Sequence, residues 1–264
     1  MKSDFLFITV NENERDAFLV KLENPAPKPF ANGIVLNFGV FGKYDVAHYH
    51  SPEQGENAEL KFYHAIEVTD PKFVILVGIA CGAGEPQKIG EVLVSRRILD
   101  YNERKEDSCL FDNEKPEEPV SRLRGVEVSS GSHLSGLFYG LLAGWIKDNV
   151  KAYYDCIISS SFLVNHPKLK KEVFEAANTK LGKEAAIGYE MEGAPLYRAC
   201  HDHKITEWIV VKAISDWGDG TKNKDEERQQ KDQQGAAQNA VSLCHHVFLH
   251  ENIFPAKKKA ILNQ

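Results

Sequence analysis

Short continuous apolar runs alternate along this chain with stretches whose apolar residues recur at helical spacing. FLFITV (5–10) reads as a buried first strand and FVILV (73–77) as a central parallel strand. EVLVSRRI (91–98) follows, and EWIVVKAI (207–214) is a last central strand. Residues 155–159 and 185–189 supply further strands, and 33–38 with 45–49 form a pair around Gly42-Lys43. Helical spacing is found after Asn11 to Asn13, where Ala17, Phe18 and Leu22 make an apolar stripe that Pro25, Pro27 and Pro29 end. It recurs over 56–69, 134–150, 167–177, 191–203 and 236–249. Residues 101–119 are polar and acidic, a solvated surface loop, and 216–234 are a charged, glycine-containing stretch. Strands alternating with helices predict an α/β fold with a largely parallel sheet covered on both faces. No Ser/Gly/Pro linker interrupts the pattern, so residues 1–264 read as one domain.

Composition narrows the classes of function. An apolar content of 42% and a charged content of 27% are those of a globular protein. With 32 basic and 38 acidic residues the net charge is −6, which argues against a general nucleic-acid coat. The five cysteines, Cys81, Cys109, Cys156, Cys200 and Cys244, form no C-x-x-C pair. They read as reduced thiols of a cytoplasmic protein rather than a disulfide framework or zinc cluster. The first ten residues do not form a signal peptide, and no run approaches the roughly 18 apolar residues of a membrane helix.

In such sheets ligands bind beyond the carboxyl ends of the strands. After 73–77 come Gly78, Ile79, Ala80, Cys81 and Gly82, a turn whose small residues let a ligand approach its backbone N–H groups. The spacing is neither that of a Walker loop nor that of a dinucleotide fingerprint. After 185–189 come Glu190, Met191 and Glu192. These acids either enter a pocket, one pointing in and the other out, or simply favour a helix N-terminus. After 207–214 come Ser215 and Asp216; the aspartate is either a partly desolvated acid or a turn cap. Glu12 and Glu14 follow the first strand and could equally be solvated acids of a first helical turn.

Four fragments in this order, F-V-I-L-V-G-I-A-C-G (73–82), K-I-G-E-V-L-V-S (88–95), Y-E-M-E-G (189–193) and V-K-A-I-S-D-W-G-D-G (211–220), resemble the nucleoside phosphorylase/nucleosidase superfamily. Its members include purine and uridine phosphorylases and methylthioadenosine/S-adenosylhomocysteine nucleosidase. The V-G-I-A-x-G and D-W-G-D-G-x-K forms look similar to phosphorylase-type effector domains of bacterial defence proteins. The resemblance implies a twisted mixed sheet, partly closed into a barrel and flanked by helices. It implies that Glu14, in Glu14-Arg15-Asp16-Ala17-Phe18, activates water or orients the ribose. Glu192 would hold the ribose hydroxyls while Met191 packs on the sugar. Asp216, positioned by Ser215, would protonate the purine at N7. Phe162 would stack on the base, with Leu163 and Val164 completing that wall.

Phosphorylases of the superfamily bind phosphate through an arginine and a hydroxyl residue at the positions of Leu76 and Ile79 here. Neither side chain can donate a hydrogen bond, which favours water as nucleophile. The reading is thus a purine nucleosidase with no metal and no cofactor, acting on a nucleoside or nucleotide of adenine type. The alternatives are a phosphorylase and an inactive ligand-binding module. A nucleotide would need cations, and Lys43, Arg96, Arg97, Lys222 and Lys224 are the candidates. Residues 221–234 could form a lid. His48-x-His50 and His201-x-His203 lack a third metal ligand. The expected partners are a small purine ligand and further copies of the chain, as a dimer or hexamer, with neither nucleic acid nor membrane.

Overall fold

A computed structural model describes residues 2–102, 104–106, 121–123, 126–145, 147, 149–182, 185–220 and 225–254. In chain order, β1 is Phe5–Thr9, α1 Glu12–Leu19, β2 Glu23–Pro29, β3 Val35–Phe41, β4 Tyr44–His50, α2 Ala58–Thr69, β5 Phe73–Gly82 and β6 Val92–Asp100. Then come β7 Arg104–Glu106, β8 Ser121–Leu123, β9 Val126–Ser129, α3 Ser132–Leu141, β10 Ala152–Ser159 and α4 Pro167–Leu181. β11 Ala186–Glu190, α5 Gly193–Asp202, β12 Glu207–Asp216 and α6 Glu226–Phe248 complete the order.

The main sheet runs β11-β10-β6-β12-β5-β1-β4-β3-β2, with β9 on β6. β11 also pairs with β5 through Gly188↔Gly82 and Tyr189↔Cys81. That contact closes β5, β12, β6, β10 and β11 into a partly closed barrel. β1, β5 and β12 are parallel, but β6–β12, β5–β11 and β2–β3–β4 are antiparallel. The sheet is therefore mixed, as the family resemblance implies and not as strand–helix alternation alone suggests.

Strand alternation sorts the core onto two faces. Phe5, Phe7, Ile75, Val77, Ile209 and Val211 pack with α1, α3 and α6. Leu6, Ile8, Val74, Leu76, Trp208 and Val210 pack with α2 and α5. A third cluster joins α4 to β10 and β11. Among the described residues no helix is long and apolar enough to cross a membrane.

Four elements depart from expectation. Pro25, Pro27 and Pro29 do not merely end α1: they lie in β2, an exposed strand paired on one side only, with β3. Prolines at alternate positions suit such an edge, where every second N–H has no strand to bond. Helix α3 stops at Leu141 and passes into a 3₁₀ turn, Leu142–Gly144, well short of residue 150. α6 starts ten residues before the expected 236. Asp225 caps it by accepting from Arg228 N, and Glu226 and Glu227 occupy its first turn. Residues 226–234 are thus helix rather than lid, while 221–224, with Lys222 and Lys224, lie outside the described residues. Lastly, Gly78–Gly82 are not a turn. β5 continues through them, their backbone pairing with β12 and β11 and the Ile79 N–H going to Glu14.

Candidate active site

The site grows from the ends of β1, β11 and β12. Asn11 caps α1, and Glu14 stands at its third position, so the local rule of a capping box places the carboxylate. Glu14 Oε2 accepts from Val10 N at 2.8 Å and Asn11 N at 2.9 Å, and Oε1 accepts from Ile79 N at 2.8 Å. The residue is only 2% exposed. Burial raises its pKa, opposed by Lys212 and by the N–H donors. Gly78 makes room for it: a Cβ there would lie 2.1 Å from Glu14 Oε1.

Both acids of the β11–α5 junction turn inward, so the expectation that one faces out fails. Glu190 accepts from Glu192 N and Gly193 N at 2.9 Å, folding back over the start of α5. Burial pushes its carboxyl above the usual carboxylate range, against the pull of Lys212. Glu192 accepts from Gly55 N at 3.3 Å and from Lys212 Nζ at 3.2 Å. Lys212 Nζ also lies 3.9 Å from Glu190.

Lys212 was missed in the sequence. It is 1% exposed in the middle of β12. Burial opposes its charge, but Glu192, Glu14 and Glu190 together outweigh that and raise its pKa. The available signal was a lysine inside the apolar run V-V-K-A-I. Such a residue is buried only with acid partners.

A register shift between Ile214 and Asp216 interrupts the β12–β5 ladder and re-aims the strand end. There Ser215 Oγ donates to Asp216 Oδ2 at 2.9 Å, and Gly218 N donates to Oδ1 at 3.0 Å.

These groups meet in one cavity of about 260 Å³. Glu14, Glu190, Met191, Glu192, Ser215 and Asp216 line it, with Ala80, Cys81, Leu163 and Val164. Ile79 also lines it, as do Tyr189, Val10, Asn11, Gln54 and Gln233, which the sequence did not single out as contacts. Phe162 and Gly82 are not brought in. The Phe162 ring packs 5.9 Å from Tyr101 and 6.1 Å from Tyr189, and its carbonyl accepts from the Tyr189 hydroxyl. A Cβ on Gly82 would meet Trp217 and Ile214, so that glycine serves packing. A second compartment of about 480 Å³ adjoins, sharing Val10, Asn11, Gln54 and Gln233.

Leu76 is fully buried in the core, while Ile79 faces the cavity. Arg96 pairs with Asp155, Arg97 with Glu127 and Lys43 with Glu251, none of them lining the cavity. His48 stacks on Phe18 at 4.5 Å and bonds Thr9 at 2.9 Å, and His203 bonds the Tyr63 carbonyl. Among the described residues no group of three or more His, Cys, Asp or Glu side chains is placed to hold a metal ion.

A family model described as the phosphorylase superfamily matches residues 18–248. The chain belongs to that superfamily. A relative, the death domain-containing ATP nucleosidase of Amphimedon queenslandica, is 30% identical over 240 residues, 83% of this chain. Those residues are 44% of the relative, so the chain spans under half of that protein's length. Among solved structures, the 5′-methylthioadenosine/S-adenosylhomocysteine nucleosidase of Neisseria meningitidis in complex with methylthio-immucillin-A has a TM-score of 0.72 at 17% identity. The match covers 93% of this chain and 99% of that one. The futalosine hydrolase of Helicobacter pylori has a TM-score of 0.71 at 17% identity, covering 92% and 96%. The nucleosidase of Colwellia psychrerythraea in complex with adenine has a TM-score of 0.70 at 20% identity, covering 94% and 95%. The likeness to these solved structures shows a shared fold over nearly the whole chain.

Proposed function

We propose that this chain hydrolyses the N-glycosidic bond of a purine nucleoside or nucleotide, of adenine type. One observation carries the reading: Glu14, Glu192 and Asp216, from three separate strand ends, line the same cavity. The purine lies at the Asp216 end against Val164, Leu163 and Tyr189. The ribose lies against Met191 and Glu192.

As the bond from C1′ to the base breaks, its electron pair goes to the purine and positive charge grows on the ribose. Asp216 passes a proton to N7, while the nearby carboxylates stabilise the sugar cation. A water molecule adds its oxygen to C1′, and Glu14 takes up the proton it releases. Lys212 holds Glu192 in place and offsets the charge of three buried acids. Leu76 and Ile79 offer no donor to a phosphate nucleophile, which supports water in that role. The ATP nucleosidase relative and the adenine-bound neighbour support an adenine base. The same reading takes residues 1–264 as one domain of a cytoplasmic homo-oligomer.

The test is to incubate purified protein with adenosine, inosine, guanosine, 5′-methylthioadenosine, S-adenosylhomocysteine, AMP and ATP, with and without phosphate, and to measure free base. Release without phosphate is expected. Release only with phosphate would make it a phosphorylase. No release under either condition would point to a binding module.

A further inference from the structure

Beyond Asp216 the chain turns back on itself. Gly218 and Gly220 adopt φ of 61° and 79°, in the left-handed region. The turn 216–220 comes to lie along the entry to α4 and meets it at three points. A Cβ on Gly218 would stand 2.8 Å from the Val164 carbonyl oxygen, so the two segments pack backbone to backbone. Gly220 N donates to Asn165 Oδ1 at 3.1 Å. The Lys170 ammonium lies 5.5 Å from the centre of the Trp217 ring.

Lys170 is set apart from its neighbours on α4. Lys168 and Lys171 each reach a glutamate four residues on, Glu172 and Glu175. Four residues on from Lys170 stands Phe174 instead, its ring centre 5.6 Å from the ammonium. Phe174 is anchored in the cluster that joins α4 to β10 and β11. The lysine thus bridges a core ring to the indole that directly follows Asp216, and a cation is attracted to the face of each. The indole is fixed from β5 as well. Gly82 leaves the room it fills, since a Cβ there would lie 2.6 Å from Trp217 Cζ3.

Neither Lys170 nor Asn165 lines the cavity, but their contacts join two of its walls. Asp216 opens the turn they hold, and Leu163 and Val164 directly precede Asn165. We infer that Lys170 and Asn165 are positioning residues: they latch the 216–220 turn to the start of α4 and so set the spacing between the Asp216 carboxyl and the apolar wall against which the base lies. The inference rests on the function proposed above, in which Asp216 gives a proton to the leaving base. Misplacing such a group by about 1 Å can cost about 10²-fold in rate. A cation over a ring at a half-buried site adds little to stability. Loss of the latch therefore shows in rate before it shows in melting.

The experiment measures kcat and KM for base release, and thermal melting, for Lys170→Ala, Lys170→Arg and Asn165→Ala, with the substrate that the wild type turns over fastest. Lys170→Ala is expected to lower kcat by about tenfold. KM should stay within about twofold, because the proton moves only in the transition state. Lys170→Arg keeps a cation over both rings and is expected to restore the rate. Asn165→Ala breaks the latch at a different contact and should act as Lys170→Ala does, which serves if the first variant folds poorly. The deciding arm repeats Lys170→Ala on the Asp216→Asn background. A residue that acts through Asp216 has nothing further to lose there, so the residual rate should change by less than about twofold. An equal loss on both backgrounds, a loss that follows melting and is not restored by arginine, or a wild-type rate in both alanine variants would overturn the inference. If the wild type releases base from no substrate, the proposed reaction fails separately, and the affinity for adenine decides. Binding weakened by Lys170→Ala and restored by Lys170→Arg supports the latch; unchanged or absent binding overturns it.

Discussion

A methyl group placed on residue 78 would stand 2.1 Å from Oε1 of Glu14. The first glycine of the G-I-A-C-G run therefore does not shape a ligand-binding turn. It clears the space in which the carboxylate lies against β5 and takes the N–H of Ile79. Gly78→Ala should displace Glu14 and break that bond. Overpacking of this kind costs about 1–3 kcal/mol, and base release should fall by more than about tenfold as the carboxylate moves. Denaturant melts and kcat on one preparation check both effects. A variant with wild-type kcat would remove Glu14 from the reaction.

Asp216→Asn keeps the size of the side chain but cannot deliver a proton to the leaving base. The expected loss in kcat is about 10²–10⁴-fold, with ligand affinity retained. Single-turnover assay of free base, alongside equilibrium binding, separates the two quantities. Normal turnover would assign the acid elsewhere.

Lys212→Met leaves three buried carboxylates without their ammonium. Breaking a buried pair on one side typically costs about 3–5 kcal/mol. The double variant Lys212→Met, Glu190→Gln should recover part of the loss, because the two groups share one network. Additive effects in a denaturant double-mutant cycle would contradict the network.

His48 carries a pH dependence that does not involve the cavity. Burial lowers its pKa to about 3, with the nearby charges of His50 and Arg15 acting the same way. Thr9, Phe18 and Asn37 also face the ring. A histidine held neutral in the fold but free to protonate at about 6.5 when unfolded favours the unfolded chain as pH falls. Its contribution is intact above pH ~6.5 and is lost progressively down to the folded value, with a loss of about 2 kcal/mol by pH 5. His48→Gln, which can still bond Thr9, should flatten the fall in unfolding free energy between pH 7 and 5 relative to wild type. Parallel curves for the two proteins would refute the assignment.

Much of this site was legible because its acids occupy strand ends, where apolar runs stop abruptly. Position after the strands made Glu14 and Asp216 candidates but left each open between a pocket acid and a turn or cap residue; the resemblance, through Glu14-Arg15-Asp16-Ala17 and Ser215-Asp216, singled them out. Lys212 was passed over because reading a run as buried discounts a lysine inside it, although the three nearby glutamates make burial tolerable. Phe162 follows from the resemblance, which places a base-stacking side chain in the segment after the 155–159 strand. In the structure that ring packs against Tyr101 and Tyr189 and does not line the cavity. The β2 prolines and the charged first half of α6 were read as breaks because composition was weighed over position. An unpaired sheet edge accommodates the former. The latter is made of good helix formers behind an aspartate cap.

Strand β5 is bonded to β1 and β12 along its first half and to β12 and β11 at its far end. Its amide protons should therefore exchange with solvent only when the whole protein unfolds. The first turns of α6, which carry Gln230 and Gln233, are largely solvent-exposed and should exchange by fraying. Glu14, which accepts the N–H of Ile79 on β5, thus rests against a slow-opening strand, while Gln233, in the same cavity, sits on an early turn of α6 that opens readily. A brief local opening of that turn would widen the cavity without disturbing the carboxylate anchored on β5.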